Sequence, residues 1–250
     1  MSHGPASQAA RASQSPGHRL PGYKVETNTH RIGKLDYQVR ALSDRRQYSD
    51  PEGEAERAGV TASSWPLFGV LWPAGVALAE AMCVIPIAGR RILEVGCGLG
   101  LASLVLARRG ADITASDHHP LAGAFMRHNT DLNRLAPIPF YQASWGGPDP
   151  GIGRFDLLIG ADVLYEYEHP RLLAAFLAQH ANPTVQFVMT DAGRGHCGRF
   201  NARMKEQGYT CVERRIQFGG GWPPGAGGRI LTYDRTGPAG VSRSQVATST

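Results

Sequence analysis

The sequence lacks the features that define several large classes of protein. Its four cysteines are widely spaced and form no C-x-x-C pair, which argues against a zinc site or a disulfide framework and favours reduced thiols in a cytosol. No apolar run approaches the roughly 18 residues of a membrane helix, so we expect no membrane partner. Charged residues make up only 19% of the chain against 42% hydrophobic ones, which excludes global disorder and a long coiled coil. These absences leave a cytoplasmic globular protein of ordinary domain size.

The excess of positive charge has no definite location. The formal net charge is +5 and the isoelectric point is about 9.2, which raises nucleic acid as a partner. The basic residues are spread thinly along the chain, however, and form no stripe with interleaved aromatic residues. We therefore expect no nucleic-acid partner.

Both ends of the chain lack the apolar residues that a folded segment needs. Residues 1–22 are rich in Ser, Gly, Pro and Gln without a secretory apolar core, so we expect a disordered leader, with a faint similarity to a transit peptide as the alternative. Residues 234–250 predict a disordered tail in the same way. Residues 23–60 form an N-terminal extension, in which the alternation of Leu35–Leu42 favours a strand of a hairpin. The folded domain is expected over residues 61–233.

Within that domain, short apolar strands alternate with helical patterns. The predicted strands are Arg91–Val95, Ile113–Ser116, Pro139–Ala143, Phe155–Gly160, Val185–Thr190, Thr210–Gln217 and Arg229–Tyr233; the helices between them are Leu101–Arg109, Leu121–Leu135, Arg171–His180 and Phe200–Gln207. Such alternation indicates an α/β fold with a doubly wound, mostly parallel sheet of seven strands. The last two strands have no helix between them, so we expect an antiparallel pair at one edge.

The first of these strands ends in a glycine loop that favours a ligand site. Gly96, Gly98 and Gly100 follow a G-x-G-x-G spacing, which differs from the G-x-G-x-x-G of dinucleotide binding. Glu94 stands two residues before the first glycine, where a carboxylate repels a pyrophosphate but suits a ligand with an ammonium and a sulfonium group. The alternative is a tight strand–helix turn without a ligand.

An acidic residue closes the next strand at the same edge of the sheet. Asp117 is placed to accept both hydrogens of a ribose diol, and the alternative role is the N-cap of the following helix. His118 and His119 are expected to be exposed loop residues, because no third ligand is spaced for a metal. We expect no metal site.

These residues resemble a known family. The loop Glu94–Gly100 with Asp117 is similar to the nucleotide-binding signature of class I S-adenosylmethionine-dependent methyltransferases. The segment Phe155–Glu166 resembles the fourth-strand motif, ending in D-x-x-Y, of the family-16 protein methyltransferases, which are mostly lysine-specific. Leu71–Gly75 matches their tryptophan segment. The resemblance covers about residues 65–215 and implies a Rossmann-like methyltransferase fold with S-adenosylmethionine as cofactor.

The resemblance also implies roles for ten residues. Ser144-Trp145 stands where the family has an Asp-Trp pair, so a hydroxyl replaces the acid that would accept the adenine amino group. The implied cofactor-binding residues are Trp72, Glu94, Gly96, Gly98, Gly100, Asp117, Ser144 and Trp145, and the implied catalytic residues at the acceptor channel are Asp162 and Tyr165. Packing roles stay open for Trp72 and Tyr165. Glu166, Glu168 and His169 are expected to form a solvated loop and cap.

The acceptor is the least determined part of the prediction. Residues 117–139 are most similar to the branch that modifies the electron-transfer-flavoprotein β subunit, so we expect a monomeric protein-lysine methyltransferase with a protein substrate. Ala161–Leu164 departs from the Asn/Asp-Pro-Pro motif of enzymes that methylate adenine or glutamine, and no cysteine stands near for cysteine-dependent base methylation. The sequence leaves two alternatives open, a small-molecule acceptor and a non-catalytic cofactor-binding module.

Two segments near the end of the domain carry further predictions. Arg194, Arg199 and Arg203 predict a charged helix face, and residues 219–228 predict a mobile connection or a lid.

Overall fold

Strands and helices alternate along most of the chain. The computed structural model describes residues 22–193, 195–218 and 227–237. Its strands are β1 (Val25–Ile32), β2 (Leu35–Leu42), β3 (Arg91–Val95), β4 (Asp112–Asp117), β5 (Phe140–Gln142), β6 (Phe155–Ala161), β7 (Ala181–Asp191), β8 (Thr210–Gln217) and β9 (Gly227–Arg235). Its helices are α1 (Glu54–Arg57), a 3₁₀ helix (Trp65–Gly69), α2 (Pro73–Met82), α3 (Leu101–Arg108), α4 (Ala122–Leu132), α5 (His169–His180) and α6 (Cys197–Glu206).

Seven of the strands form one sheet in the order β5-β4-β3-β6-β7-β9-β8. The pairs among β5, β4, β3, β6 and β7 are parallel, whereas β9 runs antiparallel to both β7 and β8. This arrangement confirms the predicted fold class and its antiparallel edge. The strand order reverses at β3, so the loops after β3, β4 and β6 meet at the carboxyl edge of the sheet, where ligands bind in such folds.

Helices cover both faces of the sheet. On one face, α2, α3 and α4 bury side chains such as Leu78, Leu104 and Met126. On the other face, α5 and α6 bury Leu177 and Phe200. Sheet strands in the middle are therefore apolar on both sides, which explains why β3 and β6 are nearly continuous apolar runs.

The N-terminal hairpin of β1 and β2 packs against α4. Asn129 and Asn133, one turn apart on α4, form hydrogen bonds to the backbone of β2 as a neighbouring strand would. The Arg40 and Gln38 N–H groups donate to the two Oδ1 atoms over 2.7 and 3.0 Å, and the Nδ2 groups donate to the Arg40 and Gln38 carbonyls over 3.3 and 2.7 Å. Val39 of β2 is fully buried in the same hydrophobic cluster as α2, α3 and α4. The hairpin thus shares the core of the sheet.

Five of the seven sheet strands differ in their bounds from the prediction, most of all β7 and β9. β7 begins at Ala181, directly after α5, because Ala181 pairs with Phe155 before the register shifts to Leu157 and Gln186. β9 continues through Arg235, beyond the predicted end of the domain at residue 233. The Arg235 guanidinium fixes this end by donating to the carbonyl of Asn182 over 2.9 Å.

Some predictions fall on residues outside the described ranges. These are the leader up to residue 21, the tail from residue 238, Arg194 and residues 219–226. All four cysteines are described, and all are free thiols. Across the described ranges, no helix is both long and apolar enough to cross a membrane.

Candidate functional site

A cavity of about 410 Å³ opens at the carboxyl edge of the sheet. Its walls come from the loops after β3, β4, β5 and β6, from the start of α5 and from residues 58–72. It brings together all ten residues singled out in the sequence: Trp72, Glu94, Gly96, Gly98, Gly100, Asp117, Ser144, Trp145, Asp162 and Tyr165. Their individual roles stay predictions.

The glycine loop after β3 requires glycine at each of its three positions. Gly96, Gly98 and Gly100 all have positive φ, at 60°, 52° and 74°, a region that other residues adopt only at a cost. A Cβ on Gly98 would lie 2.8 Å from the backbone oxygen of Phe68, and one on Gly96 would lie 3.0 Å from Val163 Cγ1. The loop therefore packs closely against Phe68 and Val163, and all three glycines line the cavity.

Asp117, at the end of β4, connects the glycine loop to the next loop. The Gly98 N–H donates to Asp117 Oδ2 over 2.8 Å, and the His119 N–H donates to Oδ1 over 2.9 Å. The side chain is buried, so these two bonds fix its orientation in the cavity wall. Each carboxylate oxygen can accept a further hydrogen bond, which fits the ribose role implied by the sequence.

Glu94 lies deeper, at the start of the same loop. Ser103 on α3 donates its N–H to Glu94 Oε2 over 2.9 Å, and its hydroxyl donates to the same oxygen. Burial raises the pKa of Glu94 to about 7, although both Ser103 bonds act in the opposite direction. A cation bound beside this group would favour its charged form.

Asp162 has an unusual backbone at the mouth between β6 and β7. It is one of two described non-glycine residues with positive φ, at 53°. Its N–H donates to the Thr190 carbonyl over 2.8 Å, and the Ala192 N–H lies 3.4 Å from its Oδ1. The end of β7 therefore holds both the backbone and the buried carboxylate of Asp162 at the cavity wall. Strained backbone of this kind clusters at functional sites.

The prediction of a solvated loop and cap after Tyr165 is wrong for His169. Glu166 and Glu168 are exposed as expected, but the His169 side chain is only 12% exposed. Its ring packs edge-on against Tyr165 and Trp145, with centroid distances of 4.4 and 5.2 Å. No sequence signal marks this residue, because its burial depends on the loop after β5, which is distant in the chain.

The expectation that His119 is exposed is also wrong, whereas His118 is partly exposed. His119 is 1% exposed and its ring stacks on Phe68 at 3.8 Å. The Leu121 N–H donates to Nδ1 over 3.1 Å, so the proton of the neutral ring resides on Nε2, which has no partner among the described residues. Burial lowers the pKa of His119 to about 3, with the His118 charge acting in the same direction.

Residues 58–72 close one side of the cavity. The indole N–H of Trp72 donates to the Leu67 carbonyl over 3.0 Å, which orients its ring at the start of α2. The Arg45 guanidinium lies over that ring, 5.8 Å from its centroid. Trp72 thus lines the cavity and also stabilises the local fold, and its cofactor role stays a prediction.

The charge of the cavity has one sign. Four carboxyl residues line it, Glu94, Asp117, Asp162 and Glu166, and its described lining contains neither lysine nor arginine. Nucleotide sites that hold a pyrophosphate use positive groups or open helix N-termini. An acidic lining favours a molecule that carries positive charge.

Comparisons with known proteins match this chain to methyltransferases. A family model described as lysine methyltransferase matches residues 66–206. The chain is 32% identical over 115 residues to the electron transfer flavoprotein beta subunit lysine methyltransferase of Xenopus laevis, covering 45% of this chain and 46% of that protein. It is 31% identical over 147 residues to the protein N-lysine methyltransferase METTL21A of Danio rerio, covering 53% of this chain and 66% of that protein.

A solved structure shows the same fold. The 16S rRNA N2 G1207 methyltransferase of T. thermophilus, in complex with AdoMet and guanosine, matches with a TM-score of 0.58 and 15% identity over 87% of this chain and 52% of that chain. At this identity the likeness concerns the fold alone. The chain spans about half the length of the first curated relatives it matches.

Proposed function

This chain belongs to the lysine methyltransferase family, whose model matches more than half of its residues, and on that premise we propose that it transfers methyl groups to lysine side chains of a protein. The observation that supports this most is the acidic cavity without lysine or arginine in its described lining. Both the donor and a lysine acceptor carry positive charge, so one cavity of this sign suits both.

The cofactor is S-adenosylmethionine, and the residues of the cavity fit it. Glu94 and the glycine loop would hold the methionine end, since Glu94 and the three glycines line the same part of the cavity. Asp117 would accept from the ribose. Ser144, exposed at the cavity, would take the adenine side together with Trp145.

The chain's own residues have two tasks in the reaction. When bound, the cofactor supplies a methyl group on a positively charged sulfur. The residues around it must align a nitrogen lone pair with that carbon and exclude water. Asp162 would accept an N–H of the incoming amine and so aim its lone pair, while Tyr165 would form an aromatic wall beside it. The lysine ammonium gives up one proton to water before transfer, and the methylated nitrogen leaves as an ammonium, so the transfer step itself needs no base.

The lysine amine must be uncharged when it reacts, so it either enters the site without its proton or loses the proton there. A free lysine has a pKa near 10.4, so exposing its lone pair at about pH 7.4 costs roughly 4 kcal/mol. Aromatic and apolar walls lower that cost by disfavouring the ammonium form. The first candidate acceptor is the electron transfer flavoprotein β subunit, because relatives named for that substrate are similar to this chain.

Labelling identifies the acceptor class. The purified chain is incubated with S-adenosylmethionine carrying a tritiated methyl group and a cell extract, and labelled species are separated and sequenced by mass spectrometry. We expect label on lysine residues of protein, with purified flavoprotein β subunit tested in parallel, and none with the Asp162→Asn variant. Label in RNA or in small metabolites with none in protein would overturn the proposal.

A monomeric state and a cytoplasmic location belong to the same proposal. The four free thiols support the location, since a reducing compartment keeps cysteines unpaired. Sedimentation of the purified chain and imaging of a tagged copy would test each.

A further inference from the structure

His169 connects three parts of the cavity wall. It is the first residue of α5, and its ring lies between Tyr165 on the acceptor side and Trp145 on the cofactor side. Its Nδ1 lies 3.0 Å from the Val163 carbonyl oxygen. A side chain of Val163 in turn approaches the glycine loop, since a Cβ on Gly96 would lie 3.0 Å from it.

The hydrogen bond fixes which form of the ring is present. A carbonyl oxygen can only accept, so Nδ1 must carry the proton, and Nε2 of the neutral ring is an acceptor. Burial lowers the pKa of His169, although the nearby Glu166 carboxylate acts in the opposite direction; His118 and His196 also lower it. The ring is therefore neutral near pH 7. Glu166 Oε2 lies 3.5 Å from Nε2, and the two groups would form an ion pair only at a pH below the ordinary pKa of histidine.

From this geometry we propose that His169 is a positioning residue that holds Tyr165 against the acceptor channel and Trp145 against the cofactor end of the cavity. The proposal rests on the function proposed above, because it assigns these two aromatic rings to opposite ends of one reaction site. His169 acts through them and needs no contact with either substrate.

Two substitutions separate the two contacts of the ring. His169→Asn keeps a side-chain N–H for the Val163 carbonyl but removes the ring between Tyr165 and Trp145. His169→Phe keeps the ring and removes the N–H. The matched control is His180→Asn at the other end of α5: His180 is buried, its Nδ1 lies 2.9 Å from the Gly153 carbonyl, and its ring packs on Phe176 at 4.4 Å. His180 does not line the cavity.

The first measurement needs neither cofactor nor acceptor. The chain is labelled with 5-fluorotryptophan, and the ¹⁹F resonance of Trp145 is assigned with Trp145→Phe. We expect His169→Asn to shift or broaden that resonance, while His180→Asn leaves it unchanged. An unshifted Trp145 resonance in His169→Asn would overturn the proposal, whatever the chain methylates.

The second measurement uses whichever acceptor the labelling experiment identifies. We expect His169→Asn to lower kcat by about tenfold to a hundredfold, as small misplacements at reacting groups do, with a smaller change in the calorimetric Kd of S-adenosylhomocysteine. In a Tyr165→Ala background the same substitution should change kcat by less than about twofold, because the contact between the two rings is already lost.

Two outcomes would contradict the proposal. If the losses in kcat of the two single variants add fully in the double variant, His169 does not act through Tyr165. If His169→Asn and His180→Asn lose kcat equally, the role of His169 is purely structural. Label on a non-protein acceptor would refute the proposed function without touching this test.

Discussion

Asp162 combines an unfavourable backbone with a carboxylate in the cavity wall. Left-handed backbone costs an ordinary side chain about 1–2 kcal/mol, and aspartate and asparagine are the residues that tolerate it best. The end of β7 holds it there through the Thr190 carbonyl and the Ala192 N–H. The position therefore accepts only a short polar side chain without a loss of stability.

Replacing Asp162 by asparagine should separate chemistry from folding. Asp162→Asn keeps the size and the left-handed backbone, so we expect an unchanged melting temperature and an unchanged Kd for S-adenosylhomocysteine. The rate of transfer should fall about a hundredfold, because the amide oxygen of asparagine is a weaker, uncharged acceptor for the incoming amine. Asp162→Ala should lose activity and also about 1 kcal/mol of stability in urea unfolding. Full activity in Asp162→Asn would contradict the role of the carboxylate.

Gly98 should be far less tolerant than a glycine with the same backbone elsewhere. Gly98→Ala places a Cβ 2.8 Å from the Phe68 oxygen, whereas Gly110, at φ 78°, has no atom within 4 Å of such a Cβ. Gly110→Ala should cost only the backbone strain, about 1 kcal/mol. We expect Gly98→Ala to cost at least about 1 kcal/mol more, since a backbone carbonyl cannot move as a side-chain tip can. Urea unfolding of both variants measures the difference, and equal losses would contradict the close approach.

His119 should make the protein less stable in acid. Its pKa falls to about 3 in the fold because it is buried, against about 6.5 in the unfolded chain. Between those values the unfolded state binds more protons, so stability falls as pH decreases through this window. Burial raises the pKa of Glu94 to about 7, which opposes the trend. His119→Phe removes only the first effect.

Comparison of the two proteins isolates the histidine. From pH 7.5 to 5, wild type should lose about 2 kcal/mol more stability than His119→Phe, since each pKa unit corresponds to about 1.4 kcal/mol. Chemical denaturation at both pH values gives the two differences. Parallel pH dependences would mean that the ring already titrates normally in the fold.

Site residues could be predicted from the sequence where their position depends on a local backbone feature. The glycines and acids at strand ends could be found because a turn and a strand end are local features, and all ten predicted residues line one cavity. His119 and His169 could not be found, since their burial comes from Phe68 and Trp145, which are distant in the chain. A histidine in a polar loop carries no local signal of such packing.

At the scale of elements, two side chains of α4 form hydrogen bonds to the edge of the hairpin that a neighbouring strand would otherwise form. Asn129 and Asn133 accept and donate on one side of β2 as a backbone would. Asn129 also donates to the Leu99 carbonyl in the glycine loop over 3.0 Å. One amide side chain thereby connects β2 to the cavity floor, and its loss leaves buried backbone groups without partners.

Asn129→Ala should therefore destabilise the protein strongly. Leaving buried backbone groups unsatisfied costs about 1–3 kcal/mol each, so we expect a loss of about 3 kcal/mol in urea unfolding. Asn28 on β1 is the matched control, because it is exposed and bonds only to the exposed Glu26. Asn28→Ala should stay within about 0.5 kcal/mol of wild type. A small effect of Asn129→Ala would mean that water replaces the amide.

Element boundaries were predictable where apolar pattern and pairing coincide. β3 and β8 begin and end at the predicted residues. The start of β7 was missed because Asn182-Pro183-Thr184 has the composition of a loop, although Ala181 pairs with Phe155 before the register shift. Pairing across a shifted register depends on the partner strand, which sequence pattern does not contain.

At the scale of the whole molecule, the stabilisation that a ligand gives should depend on whether its charge suits the acidic cavity. S-adenosylhomocysteine at about 100 times its Kd should add about 2.7 kcal/mol to the free energy of unfolding and raise Tm by about 5–11 °C. NAD at the same concentration should give no shift, because its pyrophosphate meets Glu94 and Asp117 without a lysine or arginine in the described lining. Thermal unfolding followed by circular dichroism measures both. A shift with NAD would contradict the electrostatic argument.

The hydrogen bonds between β2 and α4 join two segments that leave the ribosome at different times. Arg40 and Asn129 are 89 residues apart, and a ribosome adds about 5–20 residues per second, so β2 leaves the ribosome several seconds before its partner helix exists. During that interval Val39 and Leu42, buried in the finished protein, face water together with an unpaired strand edge. The nascent chain is thus open to aggregation at this hairpin, and slower growth at lower temperature or added chaperone should raise the yield of Asn129 variants more than that of Asn28 variants.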